Sequence, residues 1–253
     1  MPTIERKNVA HVAPFMAFMV IALIFQFVGE FGFKLDNAAQ PWFRRRPEYL
    51  MMLLQMLVCF PMLIYWRKVY EWNFNKGWVI GVSAGLVGIA LWILPTHIYS
   101  HFELGSDNVE DPAWYTYLGL ADRSEGFDAS ILEDSPFWYP AAIFLRFLRA
   151  VILVSLIEEI FWRGFLMRFI KKYDGNYWSV KFGEHHWLSY LVVTACFMLV
   201  HQPVDYSAAF LFGSLMYLVA IYTKSLFACV LMHAVANLVL GYYAFTYSKF
   251  GLW

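Results

Sequence analysis

An all-α fold is predicted: a polytopic membrane helix bundle of seven or eight transmembrane helices with a polar cavity inside the membrane. Three observations predict it. First, the 253-residue chain is 60% hydrophobic and only 15% charged, with mean hydropathy +0.51. A soluble protein of this size has no room to hide so much apolar surface, so lipid is the solvent for much of it. Second, the apolar residues fall in stretches close to the roughly 20 residues that a helix needs to cross a bilayer. Third, several of those stretches carry charged or amide side chains, which lipid tolerates only where they face protein or water.

Taken in order, the expected spans are Pro14–Phe33, Tyr49–Trp66, Trp78–Leu94, Ala150–Ile170, Trp187–His201, Ser207–Tyr222 and Leu226–Tyr247. The first follows a polar N-terminus and mimics a signal peptide. It is too long for one and lacks a small-x-small cleavage site after it, so it is read as a retained span. The fifth and sixth are short and are expected to be shielded by neighbouring helices. Phe137–Leu148 is apolar but too short to cross alone; it holds Pro140 and Arg146, with Arg149 just after, and is expected as an interfacial helix or, if bent, an eighth span. The organisation expected is one integrated membrane domain, with residues 1–136 as N-terminal helices plus an acidic loop and 137–253 as the core that carries the chemistry.

Charge along the chain predicts orientation. The segment His97–Ser135 holds Glu103, Asp107, Glu110, Asp111, Asp122, Glu125, Asp128, Glu133 and Asp134 against a single basic residue, Arg123. The next polar segment carries Lys171, Lys172 and Lys181, with Arg168 just before. Cytoplasmic loops are rich in Lys and Arg, so Lys171–Glu184 is expected inside and the acidic loop outside. Arg67, Lys68 and Lys76 then fall inside, whereas Arg44–Arg45–Arg46 falls outside and breaks the rule. The formal net charge is zero, which gives no case for a nucleic-acid partner. Cys59, Cys196 and Cys229 sit singly in apolar runs, so neither disulfides nor a thiolate zinc site is expected.

The polar residues inside the spans carry the functional signal. "SLIEEIFWRGFL" puts Glu158, Glu159 and Arg163 in one apolar segment. Each charge near the centre of a membrane helix costs about 2.5–3.5 kcal/mol on insertion scales, so three together call for a use. Glu159 and Arg163 are four apart and share an α-helical face. Glu158 is turned from Glu159 by about 100° and is left to face something else. "FMLVH" ends at His201, and "HAVAN" puts His233 and Asn237 four apart on one face. Measured from the expected cytoplasmic ends of their helices, Glu158, His201, His233 and Asn237 lie at depths of roughly 20, 21, 12 and 18 Å, so three helices can bring them into one layer.

That set suits hydrolysis. A carboxylate in an apolar pocket beside an Arg or His cation is poised to take a proton from water. His201 is suited to hold or help activate that water, and His233 with Asn237 to donate to the oxyanion formed at an attacked carbonyl. No serine or cysteine is placed as a nucleophile. A non-enzyme stays open beside this: a membrane scaffold, immunity or partner-stabilising protein in which the same groups only fix helix crossings.

The three segments, read as EExxxR, FxxxH and HxxxN in this order, resemble the CAAX protease and bacteriocin-processing family of intramembrane proteases, which includes the type II CAAX prenyl endopeptidase. The resemblance covers roughly Ala150–Gly241. It implies a multi-span bundle whose water-filled cavity opens to the cytoplasm, and peptide-bond hydrolysis by a glutamate-activated water in a membrane-associated peptide or protein. It implies Glu158 as general base, Glu159 as its supporting neighbour, Arg163 as the brace, His201 as the water-assisting group, and His233 with Asn237 as the oxyanion donors. No cofactor is expected. The alternative is a metal-dependent protease with zinc at the same residues; it is disfavoured because no HExxH is present and Asn is a poor zinc ligand. The long acidic loop with "GFDAS", Gly126–Ser130, resembles a bacterial branch associated with protein sorting, which implies a bacterial inner membrane.

Overall fold

The structure is a computed structural model that describes residues 3–30, 47–74, 77–105, 111–126 and 128–253. Among these residues it is helical, with no strand. The main helices are α1 (Ile4–Glu30), α2 (Pro47–Trp66), α3 (Trp78–His101), the short α4 (Ala113–Leu118), α5 (Trp138–Lys171), α6 (Trp187–Leu199), α7 (Tyr206–Thr223) and α8 (Leu226–Thr246). Six of them are long and apolar enough to cross a membrane, and α6 is a shorter apolar helix. The protein is a multi-pass integral membrane protein. Helices suit this solvent because every backbone N–H and C=O is satisfied within its own segment.

Several expected boundaries move. The first helix starts at Ile4 rather than at Pro14, so the polar N-terminal residues form its first turns. The end of the expected span at Phe33, the Arg44–Arg46 cluster, Lys76, Asp107, Glu110 and Phe127 of "GFDAS" lie outside the described residues. Helix α3 runs through Pro95 to His101, into the expected loop. Phe137–Leu148 is not a helix of its own: Trp138–Lys171 is one continuous helical run of 34 residues. Pro140 falls in its first turn, where the missing N–H has no partner to lose, so it opens the helix rather than breaking it.

The described residues group into two compact units, Met1–Glu71 with Ala129–Phe161 and Trp72–Asp128 with Trp162–Trp253. In the first, α1 packs on α2, and both meet the middle of α5. Its polar groups are bound by local logic. Pro14 has no N–H to give the carbonyl four residues back. That carbonyl, of Ala10, instead accepts the buried Tyr70 hydroxyl at 3.0 Å. Gln55, fully buried, donates to the Phe18 carbonyl at 3.0 Å and accepts from Arg149 Nε at 2.6 Å. The Arg149 guanidinium then lies 4.9 Å from the centre of the Phe18 ring.

In the second unit α3 packs against α8 and α7, and α6 packs against α7. The α3–α8 seam rests on a stripe of glycines with helical spacing. A Cβ on Gly81 would stand 2.6 Å from the Ala228 carbonyl oxygen, and one on Gly85 2.6 Å from that of Met232. Only a residue without a side chain lets the two backbones come so close, which is how membrane helices gain packing where lipid offers no hydrophobic drive. The repeat is visible in "GWVIGVSAGLVG" as Gly77, Gly81, Gly85 and Gly88; Gly81 and Gly85 face α8, while Gly77 and Gly88 stand closest to Thr223 and Phe212 of α7. Helices α7 and α8 turn back through Lys224, in the left-handed region at φ 53°, and Ser225. Ser225 caps α8 by accepting from the Ala228 N–H at 3.2 Å, and its hydroxyl donates to the Asn73 carbonyl at 2.7 Å.

Candidate active site

The glutamate pair sits on the most irregular of the described helices. Helix α5 is π-wound over Leu148–Val154, α-helical over Ser155–Glu159, and π-wound again over Ile160–Leu166. Wide π turns are rare and concentrate at functional sites. The uniform α-helix expected from sequence is therefore corrected, and with it the depth of Glu158, since the path from Lys171 crosses a π segment. No glycine within Leu148–Val154 announces the change. Glu159 is fully buried. Glu158 is half-buried, and its Oε2 is shielded from solvent without a hydrogen-bond partner among the described residues. Within its own unit Glu158 interacts electrostatically with Arg149, whose Nε donates to Gln55.

In the second unit, three of the expected residues gather around one aromatic ring. Phe197, on α6 and 1% exposed, has the Arg163 guanidinium 5.2 Å above its centre. The His201 ring lies 4.8 Å from it and the His233 ring 6.4 Å, edge to face. Arg163 is fully buried and also donates from Nη2 to the Gly213 carbonyl at 3.4 Å. A Cβ on Gly213 would stand 3.1 Å from the Phe197 ring, so its smallness keeps α7 close to α6. His233, 5% exposed, further meets Phe212 at 5.8 Å. Asn237 is half-buried one turn along the same face of α8.

His201 does not lie on its helix. Helix α6 ends at Leu199, and His201 occupies the turn just beyond, its N–H donating to the Met198 carbonyl at 3.1 Å. The ring Nδ1 lies 2.7 Å from the Phe197 carbonyl oxygen. A carbonyl only accepts, so in the neutral ring Nδ1 carries the proton and Nε2 the lone pair, the tautomer a base at Nε2 requires. Trp92 of α3 packs edge-on to this ring at 5.4 Å and to Phe212 at 5.9 Å. Its indole nitrogen is buried without a hydrogen-bond partner among the described residues.

Sequence reasoning missed Trp92, Phe212, Gly213 and the Arg149–Gln55 pair. Phe197 was legible as the first letter of FxxxH. An intramembrane arginine beyond the motif, Arg149, was also a legible signal, because charge in lipid is costly wherever it stands. Trp92 and Phe212 had no such signal in a chain that is 20% aromatic. Among the described residues no three His, Cys, Asp or Glu side chains are grouped so as to hold a metal ion.

Fold and site first define a class: a polytopic helical membrane protein with ionisable side chains gathered inside its apolar core. Within that chain, residues 140–239 match the family model Rce1-like, type II CAAX prenyl endopeptidase Rce1-like. The match spans about two-fifths of the chain and includes Glu158, Glu159, Arg163, His201, His233 and Asn237. The family resemblance carried by the three motifs is thereby borne out over this segment. No curated protein and no solved structure matches the chain.

Proposed function

We propose that the protein is an intramembrane endopeptidase that hydrolyses a peptide bond of a membrane-associated or lipidated protein or peptide with a glutamate-activated water. Glu158 takes the proton from water and Glu159 supports it. Arg163 braces the acidic pair. His201, through the lone pair on Nε2, assists the water, while His233 and Asn237 donate to the oxyanion of the tetrahedral intermediate. The bilayer is the working environment, and a bacterial inner membrane its expected location.

The observation that carries this proposal is the gathering of Arg163, His201 and His233 on Phe197, inside the segment that matches an endopeptidase family. Three ionisable side chains from α5, α8 and the end of α6 have no packing reason to share one ring. Single polar contacts between membrane helices contribute only about 0.6 kcal/mol on average, too little to account for so many.

The test is a panel of prenylated and unprenylated peptides offered to detergent-purified protein, wild type beside Glu158→Gln. Cleavage by the wild type that the variant lacks, with unfolding temperatures alike, supports the proposal. Equal cleavage by both removes Glu158 from the chemistry. Activity that vanishes in chelator and returns with zinc, together with stoichiometric metal, would replace it with the metal-dependent mechanism.

A further inference from the structure

Arg123 stands outside every motif, yet it is one of the best-satisfied side chains in the molecule. It is 6% exposed, the only Lys or Arg of the acidic segment His97–Ser135. Its fork is in use on both edges. Nη1 donates to Asp205 Oδ1 at 2.8 Å and Nη2 to Asp205 Oδ2 at 3.3 Å. Nε donates to the Gly251 carbonyl at 3.0 Å, and Nη2 bonds the same oxygen. The Gly251 N–H returns a bond to the Arg123 carbonyl at 2.8 Å. Beside it Lys249 pairs with Asp122 at 3.2 Å. Close backbone contact seals the join: a Cβ on Gly251 would stand 2.6 Å from the Glu125 carbonyl, and one on Gly126 would collide with Phe250.

The grip matters for what Asp205 ends. The link from α6 to α7 runs from Val200 to Asp205 and carries His201. Its own backbone bonds are short-range, His201 to Met198 and Asp205 to Gln202. In "HQPVD" the spacing of His201 and Asp205 invites a His–Asp pair, with the carboxylate steering the ring. The structure assigns the carboxylate otherwise. Both its oxygens are held by Arg123, and His201 Nδ1 is held by the Phe197 carbonyl. The ring is thus oriented from the α6 side, while the far end of its link is fastened through Asp205.

We propose that Arg123 is a positioning residue for His201: by gripping Asp205 and the Gly251 carbonyl together, it clamps the link that carries the imidazole, and Lys249–Leu252 completes the clamp. This rests on the role of His201 proposed above. A planar fork that serves a carboxylate and a carbonyl at once is a task a lysine cannot repeat.

The experiment uses full-length protein in detergent, with Arg123→Gln, Arg123→Lys and Gly251→Ala. Gly251→Ala leaves every charge in place and crowds the Glu125 carbonyl and Arg123 from the tail side. The readouts are the ring ¹⁵N signals of His201, assigned with His201→Gln, the unfolding temperature, and steady-state cleavage of a peptide that the wild type cuts. Arg123→Gln and Gly251→Ala are expected to shift or broaden the His201 signals and to lower kcat about tenfold or more, with KM changed by about twofold at most. Arg123→Lys is expected to fall between. His201 signals unchanged in both Arg123→Gln and Gly251→Ala would overturn the proposal, as would turnover that falls only with the folded fraction. If Arg123→Gln does not fold, Gly251→Ala decides alone. The ring signals need no turnover, so a wild type that cuts no peptide defeats the protease proposal while leaving the clamp open to measurement.

Discussion

Gly85→Ala adds one methyl group at the α3–α8 seam, and its consequence can be worked from the packing. The new Cβ would stand 2.6 Å from the Met232 carbonyl oxygen and 3.2 Å from the Val235 Cβ. Ordinary contact begins at 3.4 Å, so the backbones must separate by about 0.8 Å unless the strain is shared. Backbone is the obstacle, and no flexible side chain can swing away. Overpacking of this kind costs about 1–3 kcal/mol. Met232 precedes His233 directly, so part of the shift is delivered to the proposed oxyanion donor. A misplacement of about 1 Å can lower a rate 100-fold, and a shared shift of half that size points to a loss of about tenfold. Gly81→Ala is the control. It makes the same 2.6 Å approach, but to Ala228, more than a turn away from His233. The assay is thermal unfolding in detergent combined with single-turnover cleavage. Both variants should lose similar stability, and Gly85→Ala should lose more rate per folded molecule. Wild-type stability in Gly85→Ala would refute the packing argument; equal rates in the two variants would refute the link to His233.

Three further outcomes are expected. Tyr70→Phe should destabilise the protein by about 1–3 kcal/mol by leaving the Ala10 carbonyl unsatisfied. The same change in a Pro14→Ala background should be milder, because alanine at that position restores the N–H that Pro14 cannot offer the Ala10 carbonyl; additive costs in the double-mutant cycle would count against this account. A ¹⁵N spectrum of histidine-labelled protein should show the neutral His201 ring protonated at Nδ1, as its bond to the Phe197 carbonyl requires, and an Nε2–H tautomer would contradict it. The Lys171 ammonium, 2.7 Å from Glu184, holds that carboxyl below the usual carboxylate range. A depressed folded pKa stabilises above the unfolded value of about 4.3 and loses that effect as pH falls through the folded value. Lys171→Met should raise the Glu184 pKa in a carboxyl ¹³C titration and flatten the acid-side loss of stability. The effect should be small, since Glu184 is largely exposed and water screens the pair.

The sequence by itself determined the solvent, the fold class and the six candidate residues. Composition excludes water as the medium for most of the chain, and a bilayer then admits little but helices of about known length. Ionisable groups are costly in lipid, so Glu158, Glu159, Arg163, His201 and His233 stand out against an apolar background without any coordinates. Boundaries were less legible where a local cue was ambiguous. Pro140 was compatible with a break or a start, and only the continuous α5 decided between them. Pro95 was no barrier, because one lost hydrogen bond does not end a membrane helix.

Tertiary structure decided what depends on distant pieces of chain. The gathering of Arg163, His201 and His233 on Phe197 requires α5, α6 and α8 to meet, and the glycine stripe sets how closely α3 approaches α8. The partner of the Ala10 carbonyl, far along the chain at Tyr70, and the grip of Arg123 on Asp205 and Gly251 belong to the same kind. The π turn over Leu148–Val154 has no glycine or proline to mark it, because winding is chosen by what a helix packs against when local preferences differ by less than packing energies. Periodicity reports which face of a helix is apolar; which side chain stands opposite that face is fixed only when the helices pack.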